Sequence, residues 1–319
     1  MDASNARVEH YLQAQADVLE GTGVPVTSWT VPMPAPFGTA HLLEAGSGNP
    51  LLLLHGGSVV AQWAPLIPFL AAGVRLLMPD KPGTGLASPF DYRGVDLRTH
   101  GVAFIEGLLD AVGLERATIG GNSMGGYFAF CFALANPERV SALVILGEPA
   151  GADPAPSLQQ SRYHRLVGTR GLNALLFKTA LKPKPGAEGA RVGLARAKLV
   201  AVPNQVPDDL LECVAAGWHL PGAVRSWYTM VERAWHPAGA GIFGRSTILT
   251  NRLAPELAEL NVPTLFLWGK KDSLGSPEAG RALADRMPDA RLEVVKDASH
   301  LVHVDQPKIC ADAVLGFLS

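Results

Sequence analysis

The sequence predicts an α/β fold with a mostly parallel eight-stranded sheet, helices on both faces, and a helical insertion after the sixth strand. Strand-like and helix-like segments alternate up to Glu148 and again from Val262, which is the pattern of a parallel sheet covered by helices. Between these two stretches the alternation stops. We therefore expect a core domain of residues 1–148 and 256–319, interrupted by a cap domain of residues 149–255.

The segments before the break follow from hydrophobic spacing and from turn residues. Residues 8–19 have the spacing of an amphipathic helix, and residues 24–31 and 39–43 read as an antiparallel lead-in around a proline-rich turn. Residues 51–54 are four leucines, as expected for a strand buried on both faces. The later segments are a helix over 63–72, a strand over 74–79, a helix around 102–112, a strand over 117–120, a helix over 124–135 and a strand over 140–146.

The segments after Glu148 differ in character. Residues 149–255 hold helical stretches, prolines and three of the six tryptophans, but no clean strand. The alternation then resumes with a strand over 262–268, a helix over 277–286, a strand over 291–295 and a closing helix over 304–317.

Composition excludes several classes of function. A net charge of −2 argues against a nucleic acid or an anionic membrane as partner. The three cysteines, Cys131, Cys213 and Cys310, lack metal-ligand spacing and read as buried thiols, so neither a metal site nor a disulfide is expected. There is no signal-peptide pattern and no apolar run of about 18 residues. The sequence therefore predicts a cytoplasmic protein that acts on a small molecule without a cofactor.

The motif that carries chemistry is Gly121-Asn-Ser-Met-Gly125, which follows a strand-like run and precedes a helical one. This is the context of a G-x-S-x-G nucleophile elbow, in which the glycines permit a sharp turn and expose the serine hydroxyl. The alternative is an ordinary strand-to-helix turn. Ser123 is the predicted nucleophile.

A serine nucleophile needs a base and an acid that orients the base. Asp272 follows the strand over 262–268 and His300 follows the strand over 291–295, so all three residues meet at the carboxyl edge of the sheet. The order Ser, Asp, His is that of a hydrolase built on this kind of sheet. Glu148, directly after the sixth strand, is the competing acid. Two other competitors, His303 for the base and Asp297 for the acid, are expected to be structural or peripheral.

The oxyanion that forms during acyl transfer needs preplaced hydrogen-bond donors. One is expected to be the backbone N–H of Met124, at the start of the helix after the serine. The second is expected to be the N–H of Gly57, in the His55-Gly-Gly turn after the four leucines.

These motifs, with Asp80-Lys-Pro-Gly-Thr-Gly85 and Trp268-Gly-Lys-Lys-Asp272, resemble those of the α/β-hydrolase superfamily and extend over nearly the whole chain outside the cap. The resemblance implies a serine hydrolase with a Ser123–His300–Asp272 triad and a lid between the sixth and seventh strands. It implies no metal and no organic cofactor.

The substrate class is predicted less closely. Trp218, Trp227 and Trp235 are expected to line the pocket in part, which favours an ester with an apolar or aromatic group. The elbow is similar to that of carbon–carbon bond hydrolases, but those enzymes have a longer glycine loop and a tryptophan after the histidine, where this chain has Leu301. Carbon–carbon cleavage, lactone chemistry and a slowly turning-over receptor remain alternatives. The helix over 8–19 is a possible homodimer contact.

Overall fold

The computed structural model describes residues 3–57, 59–151, 166–235 and 249–319. Eight strands form one sheet in the order β1-β2-β4-β3-β5-β6-β7-β8, in which β1 and β2 pair antiparallel with their neighbours and all later pairs are parallel. The predicted fold class is confirmed. The strands are β1 (Val26–Pro32), β2 (Thr39–Ala45), β3 (Asn49–Leu54), β4 (Val74–Pro79), β5 (Ala117–Asn122), β6 (Val140–Leu146), β7 (Thr264–Gly269) and β8 (Ala290–Val295).

Most helices lie close to their predicted positions. Where the sequence predicts one helix over 63–72, the structure has a 3₁₀ helix (Val60–Leu66) followed by a single α-helical turn, because Pro65 lacks the N–H that a continuous α-helix would use. The α-helices are α1 (Ala3–Gly21), α2 (Ile67–Leu70), α3 (Leu97–Ala111), α4 (Met124–Ala135), α5 (Leu172–Lys178), α6 (Gly186–Ala197), α7 (Asp208–Trp218), α8 (Ala223–Trp235), α9 (Leu249–Leu257), α10 (Pro277–Ala284), α11 (Val302–Asp305) and α12 (Pro307–Leu318).

The central strands of the sheet are buried on both faces, as the leucine run of β3 predicts. Leu52 and Leu54 belong to one apolar cluster with α3 and α4, whereas Leu51 and Leu53 belong to a second cluster on the opposite face. Successive side chains of a strand point to opposite faces, so one run of four leucines serves both cores. The carboxyl ends of β3, β5, β6, β7 and β8 are thereby held at a single edge.

The chain between β6 and β7 is helical in its described parts, which comprise α5 to α9. Helix α9 crosses the predicted boundary at residue 255, and its Leu253 and Leu257 are buried in the core cluster that also contains α4. Arg98 of α3 pairs with Glu256 of this helix. The second half of this helix therefore packs with α3 and α4.

The N-terminal helix packs inside the chain. Tyr11, Ala14 and Val18 of α1 are buried in a cluster that includes Cys213 of α7. Its apolar face is therefore covered by the inserted helices, while Leu12 stays 44 % exposed. A dimer contact through α1 stays a prediction. No helix in the described part of the chain is both long and apolar enough for a membrane span.

Candidate active site

Ser123 lies at the turn between β5 and α4 with φ 53° and ψ −120°, a backbone conformation that is strained for a residue with a side chain. The two flanking glycines are required by close backbone contacts. A Cβ on Gly121 would lie 2.5 Å from the carbonyl oxygen of Gly125, and a Cβ on Gly125 would collide with the carbonyl oxygen of Leu54. The turn therefore has the geometry of a nucleophile elbow.

Asp272 and His300 meet at the same edge of the sheet. Asp272 follows β7 and His300 follows β8, and both side chains are buried. The Nδ1 atom of His300 lies 3.1 Å from Oδ2 and 3.3 Å from Oδ1 of Asp272. A histidine that binds a carboxylate through Nδ1 keeps Nε2 available for another proton partner.

The Asp272 carboxylate is held by two backbone donors. The N–H of Glu148 donates to Oδ2 over 3.0 Å, and the N–H of Leu274 donates to Oδ1 over 2.9 Å. Hydrogen bonds of this kind fix the orientation of a carboxylate. The Asp272 side chain is thus held in place against the imidazole of His300.

Glu148, the competing acid, occupies a supporting place. Its backbone N–H holds Asp272, and its buried carboxylate accepts a hydrogen bond from the N–H of Gly151. Burial acts to lower the pKa of His300, but the charge and hydrogen bond of Asp272, with a smaller contribution from Glu148, raise that pKa above its usual value. The structure therefore gives the histidine two carboxylates, of which Asp272 makes the hydrogen bond.

Asn122 connects the elbow to the histidine loop. Its Nδ2 donates to the carbonyl oxygens of Leu146, over 2.6 Å, and of His300, over 3.2 Å. The residue directly before Ser123 thereby fixes the backbone at His300. The sequence analysis does not identify Asn122 as a functional residue, although its position inside the elbow motif indicates that it lies next to the nucleophile.

The loop after β3 lies beside the serine. A Cβ on Gly56 would lie 3.0 Å from the Cβ of Ser123. Among the described residues, no acceptor is found for the N–H of Gly57 or of Met124. Met124 is also the first residue of α4, where backbone N–H groups are unsatisfied and favour an anion.

Beneath this loop lies a buried cation that the sequence did not reveal. Lys81 is fully buried, its Nζ donates to the carbonyl oxygen of Gly56, and Nζ lies 3.4 Å from Nδ1 of His55. Burial lowers the pKa of Lys81 to about 7, against the opposing effect of Asp80. Burial, and then the charge of Lys81, hold the pKa of His55 well below its usual value.

Asp80 supplies a negative charge next to Lys81. It accepts hydrogen bonds from Nδ1 of His41 over 2.7 Å, from the N–H of Val60 over 3.1 Å and from the N–H of Leu86 over 3.0 Å. The carboxylate thus joins β2, the 3₁₀ helix and the Asp80–Leu86 turn behind the glycine loop.

The three candidate tryptophans have different surroundings. A Cβ on Gly57 would lie 2.6 Å from Cζ3 of Trp227, so the ring of Trp227 lies against the glycine loop. Trp218 contacts Trp227 edge to face, with 5.6 Å between ring centroids. Trp235 packs against the apolar clusters of the core and of α8. Trp227, and Trp218 through Trp227, therefore lie beside the glycine loop, and a place for Trp235 in the pocket stays a prediction.

Two further candidates lie away from the chemistry. His303 is fully buried with its ring 4.3 Å from that of Trp63, and burial, with a contribution from His300, lowers its pKa to about 3. Asp297 is exposed and pairs with Lys271 over 3.0 Å. Neither takes the place of His300 or Asp272.

The whole arrangement, a serine elbow with a histidine–carboxylate pair and a glycine loop at one sheet edge, is that of an acyl-transfer enzyme. A profile of the alpha/beta hydrolase fold family matches residues 49–307. The chain belongs to the alpha/beta hydrolase family. It is accordingly a hydrolase, and its relatives include enzymes that act on small molecules.

Two curated relatives of this hydrolase match it nearly from end to end. The 2-hydroxy-6-oxononadienedioate/2-hydroxy-6-oxononatrienedioate hydrolase of Cupriavidus pinatubonensis is 30% identical over 87% of this chain and 90% of its own. The 2-hydroxy-6-oxo-6-phenylhexa-2,4-dienoate hydrolase of Burkholderia cepacia is 29% identical over 88% and 91%. Among solved structures, the naproxen esterase of Bacillus subtilis has a TM-score of 0.75 at 22% identity, covering 100% of this chain and 99% of its own.

Proposed function

We propose that this hydrolase cleaves a carbon–carbon bond in a 2-hydroxy-6-oxo-dienoate, with Ser123 as nucleophile, His300 as base and Asp272 as the orienting acid. The observation that carries the proposal is the His300–Asp272 pair at 3.1 Å, at the sheet edge that also bears the Ser123 elbow. The choice of substrate rests on the two dienoate hydrolases that match most of the chain. Of the alternatives that the sequence left open, the comparisons favour carbon–carbon cleavage over the ester first expected.

The first step is attack on the ketone carbon of the substrate. His300 takes the Ser123 hydroxyl proton through Nε2 as the serine oxygen bonds to C6, and the electron pair of the carbonyl bond moves onto oxygen. The N–H groups of Gly57 and Met124 stabilise this oxyanion. Asp272 stabilises the imidazolium that His300 has become.

The second step breaks the bond between C5 and C6. The oxyanion collapses, C6 becomes the acyl carbon of a serine ester, and C5 leaves with the electron pair. This step requires the keto tautomer of the substrate, in which the proton of the C2 hydroxyl has moved to C5, so that C5 is saturated and a C3=C4 double bond joins it to the C2 carbonyl. The charge on C5 is then delocalised through C3=C4 onto the C2 oxygen, and the His300 imidazolium returns the proton to that oxygen to give a 2-hydroxy-2,4-dienoate. Water activated by His300 then releases the acid and regenerates Ser123.

We propose that helices α5 to α8, within residues 149–255, form the cap that closes this site. Trp227 lies against Gly57 of the oxyanion loop, and Trp218 lies against Trp227. A flat conjugated dienoate with an apolar substituent suits such a wall. A substrate contact by Trp235 stays a prediction.

Ester hydrolysis is the second candidate, and two observations favour it. Leu301 follows His300 where the carbon–carbon hydrolases have a tryptophan. Arg225 pairs with Asp91 over 2.8 Å and Arg233 donates to the carbonyl oxygen of Val95 over 2.7 Å, so both guanidinium groups already have an acceptor within the chain in place of a substrate carboxylate. The same triad would also cleave an ester, with an alkoxide as the leaving group where carbon–carbon cleavage has a carbanion.

A comparison of substrates tests the proposal. Purified enzyme is given 2-hydroxy-6-oxo-6-phenylhexa-2,4-dienoate, followed by loss of the dienolate absorbance, and p-nitrophenyl esters of increasing acyl length. We expect a higher kcat/KM for the dienoate, with benzoate as a product. Steady turnover of esters with no cleavage of the dienoate would overturn the carbon–carbon proposal in favour of the second candidate. A single turnover with either substrate would favour a receptor.

A further inference from the structure

We propose that Lys81 is a positioning residue of the oxyanion hole, which holds the Gly56 carbonyl so that the N–H of Gly57, in the same peptide, faces the reacting oxygen. This inference rests on the proposed function in one respect, namely that the N–H of Gly57 is an oxyanion donor. It does not depend on whether the substrate is a dienoate or an ester.

The geometry of the peptide bond links the two groups. In a planar trans peptide the C=O of one residue and the N–H of the next point in opposite directions. The amino group of Lys81 donates to the carbonyl oxygen of Gly56. A Cβ on Gly56 would lie 3.0 Å from the Cβ of Ser123, so this peptide lies beside the nucleophile. We infer that the bond to Lys81 turns the Gly56 carbonyl away from the serine and thereby turns the N–H of Gly57 towards it.

Where Lys81 is protonated, below its pKa of about 7, its charge adds to the positioning. A cation that bonds to a carbonyl oxygen draws electron density from the amide, which makes the N–H of the same peptide a better donor. This bond is shielded from bulk solvent, since Lys81 and His55 are both fully buried. Interactions with a developing negative charge are stronger in such surroundings than in water.

The surroundings explain how a cation is kept at this position. Asp80 is the adjacent opposite charge and is itself held by His41 and by the N–H groups of Val60 and Leu86. Burying an ion pair is costly, and apolar side chains of similar size often serve stability equally well. Stability alone gives no reason for a lysine here, whereas its bond to the oxyanion loop does.

Substitution of Lys81 separates positioning from packing. Lys81→Met keeps the length of the side chain and removes both charge and donor, and Lys81→Gln keeps a donor without the charge. Lys308→Met is the matched control, because Lys308 is exposed and its one partner in the described part of the chain is Asp312 on its own helix. Removal of one oxyanion donor costs about 10²–10³-fold in kcat, so a misdirected donor in Lys81→Met should cost about 10–100-fold. KM should stay within about twofold, with Lys81→Gln between Lys81→Met and wild type.

A transition-state mimic supplies the readout that a packing role would not change. An aryl trifluoromethyl ketone forms an anionic hemiketal with a catalytic serine, so its affinity should fall by the same factor as kcat/KM, while the melting temperature stays at the wild-type value or rises. The inference is overturned if Lys81→Met keeps the kcat and inhibitor affinity of Lys308→Met, or if only KM rises. If Lys81→Met does not fold, Lys81→Gln decides by the same criteria.

Ser123→Ala, measured in parallel, separates the two proposals. Loss of turnover in Ser123→Ala with full kcat in Lys81→Met would refute the role of Lys81 and leave the proposed mechanism standing. Full turnover in Ser123→Ala would refute the proposed mechanism, and the role of Lys81 with it.

Discussion

At the scale of single residues, two carboxylates surround one histidine and the structure gives them different tasks. Asp272 bonds to Nδ1 of His300. Glu148 donates its backbone N–H to Asp272, and the charge of its carboxylate has a smaller effect on His300. Both charges raise the pKa of His300. A raised pKa means that this base becomes neutral, and hence able to accept a proton, only at a higher pH than an exposed histidine.

The two carboxylates should therefore respond differently to neutralisation. We expect kcat/KM to rise with pH through a midpoint above 6.5, the usual pKa of histidine. Asp272→Asn should lower kcat by about 10⁴-fold, because the wrong tautomer is then held. Glu148→Gln should keep activity within about tenfold. It should also move the midpoint to lower pH, because it removes a negative charge that raises the pKa of His300, and one pKa unit is a factor of ten in proton affinity. The measurement is a pH–rate profile of each variant.

Asp297→Asn is the control for this profile. Asp297 lies in the same loop as His300 but is exposed and paired with Lys271, so its neutralisation should leave the midpoint in place. A shift as large as that of Glu148→Gln would indicate a general effect of charge. A small loss in Asp272→Asn with a large loss in Glu148→Gln would make Glu148 the triad acid.

At the scale of elements, the site depends on a contact between the loop after β3 and helix α8. The ring of Trp227 lies against Gly57, so any side chain at position 57 meets the helix before it meets substrate. Neither partner reveals this contact in sequence, because the two residues are distant in the chain and share no periodic pattern. The glycine turn and the tryptophan could be predicted as candidates, but their contact could not.

We expect Gly57→Ala to lower kcat/KM, because its methyl group displaces either the loop or the ring of Trp227. Adding Trp227→Leu makes room for the methyl group and should recover part of the loss, a coupling of about 1–2 kcal/mol. The measurement is kcat/KM for the two single variants and the double variant. Gly193→Ala is the matched control, since nothing lies within 4 Å of a Cβ there. Strictly additive losses would contradict the contact.

At the scale of the whole molecule, the sheet predicted from sequence is the sheet observed, and the reason is physical. Buried parallel strands are short continuous apolar runs, such as the four leucines of β3, and they end in glycine or polar turns at one edge. Ser123, Asp272 and His300 follow such runs and could be located in advance. Lys81 could not be, because its burial and its bond to Gly56 come from tertiary packing. The covering of α1 by α7 has the same origin.

Buried neutral histidines should make the whole fold sensitive to acid. Burial, followed in each case by a nearby charged group, lowers the pKa of His100 to about 4 and of His303 to about 3, so below pH 6.5 the unfolded chain binds protons that the folded chain does not. The contribution of these two histidines to the free energy of unfolding is therefore fully present above pH 6.5. It is lost as the pH falls towards their pKa values in the folded chain.

Replacement of His303 tests this origin of acid sensitivity. Both of its ring nitrogens are buried without a hydrogen-bond partner among the described residues, so His303→Leu removes a titrating group without breaking a bond. The melting temperature of His303→Leu should fall less than that of wild type between pH 7 and pH 5. Parallel falls in the two proteins would assign the sensitivity to other groups.

The most direct test of the central claim is the rate of dienoate cleavage by Ser123→Ala beside wild type. Ser141→Ala is the matched control, because Ser141 is an exposed serine of β6. Removal of the nucleophile should lower kcat by about 10⁶-fold, with Ser141→Ala unchanged and the fold intact by circular dichroism. Cleavage by Ser123→Ala at a rate near that of wild type would contradict the account.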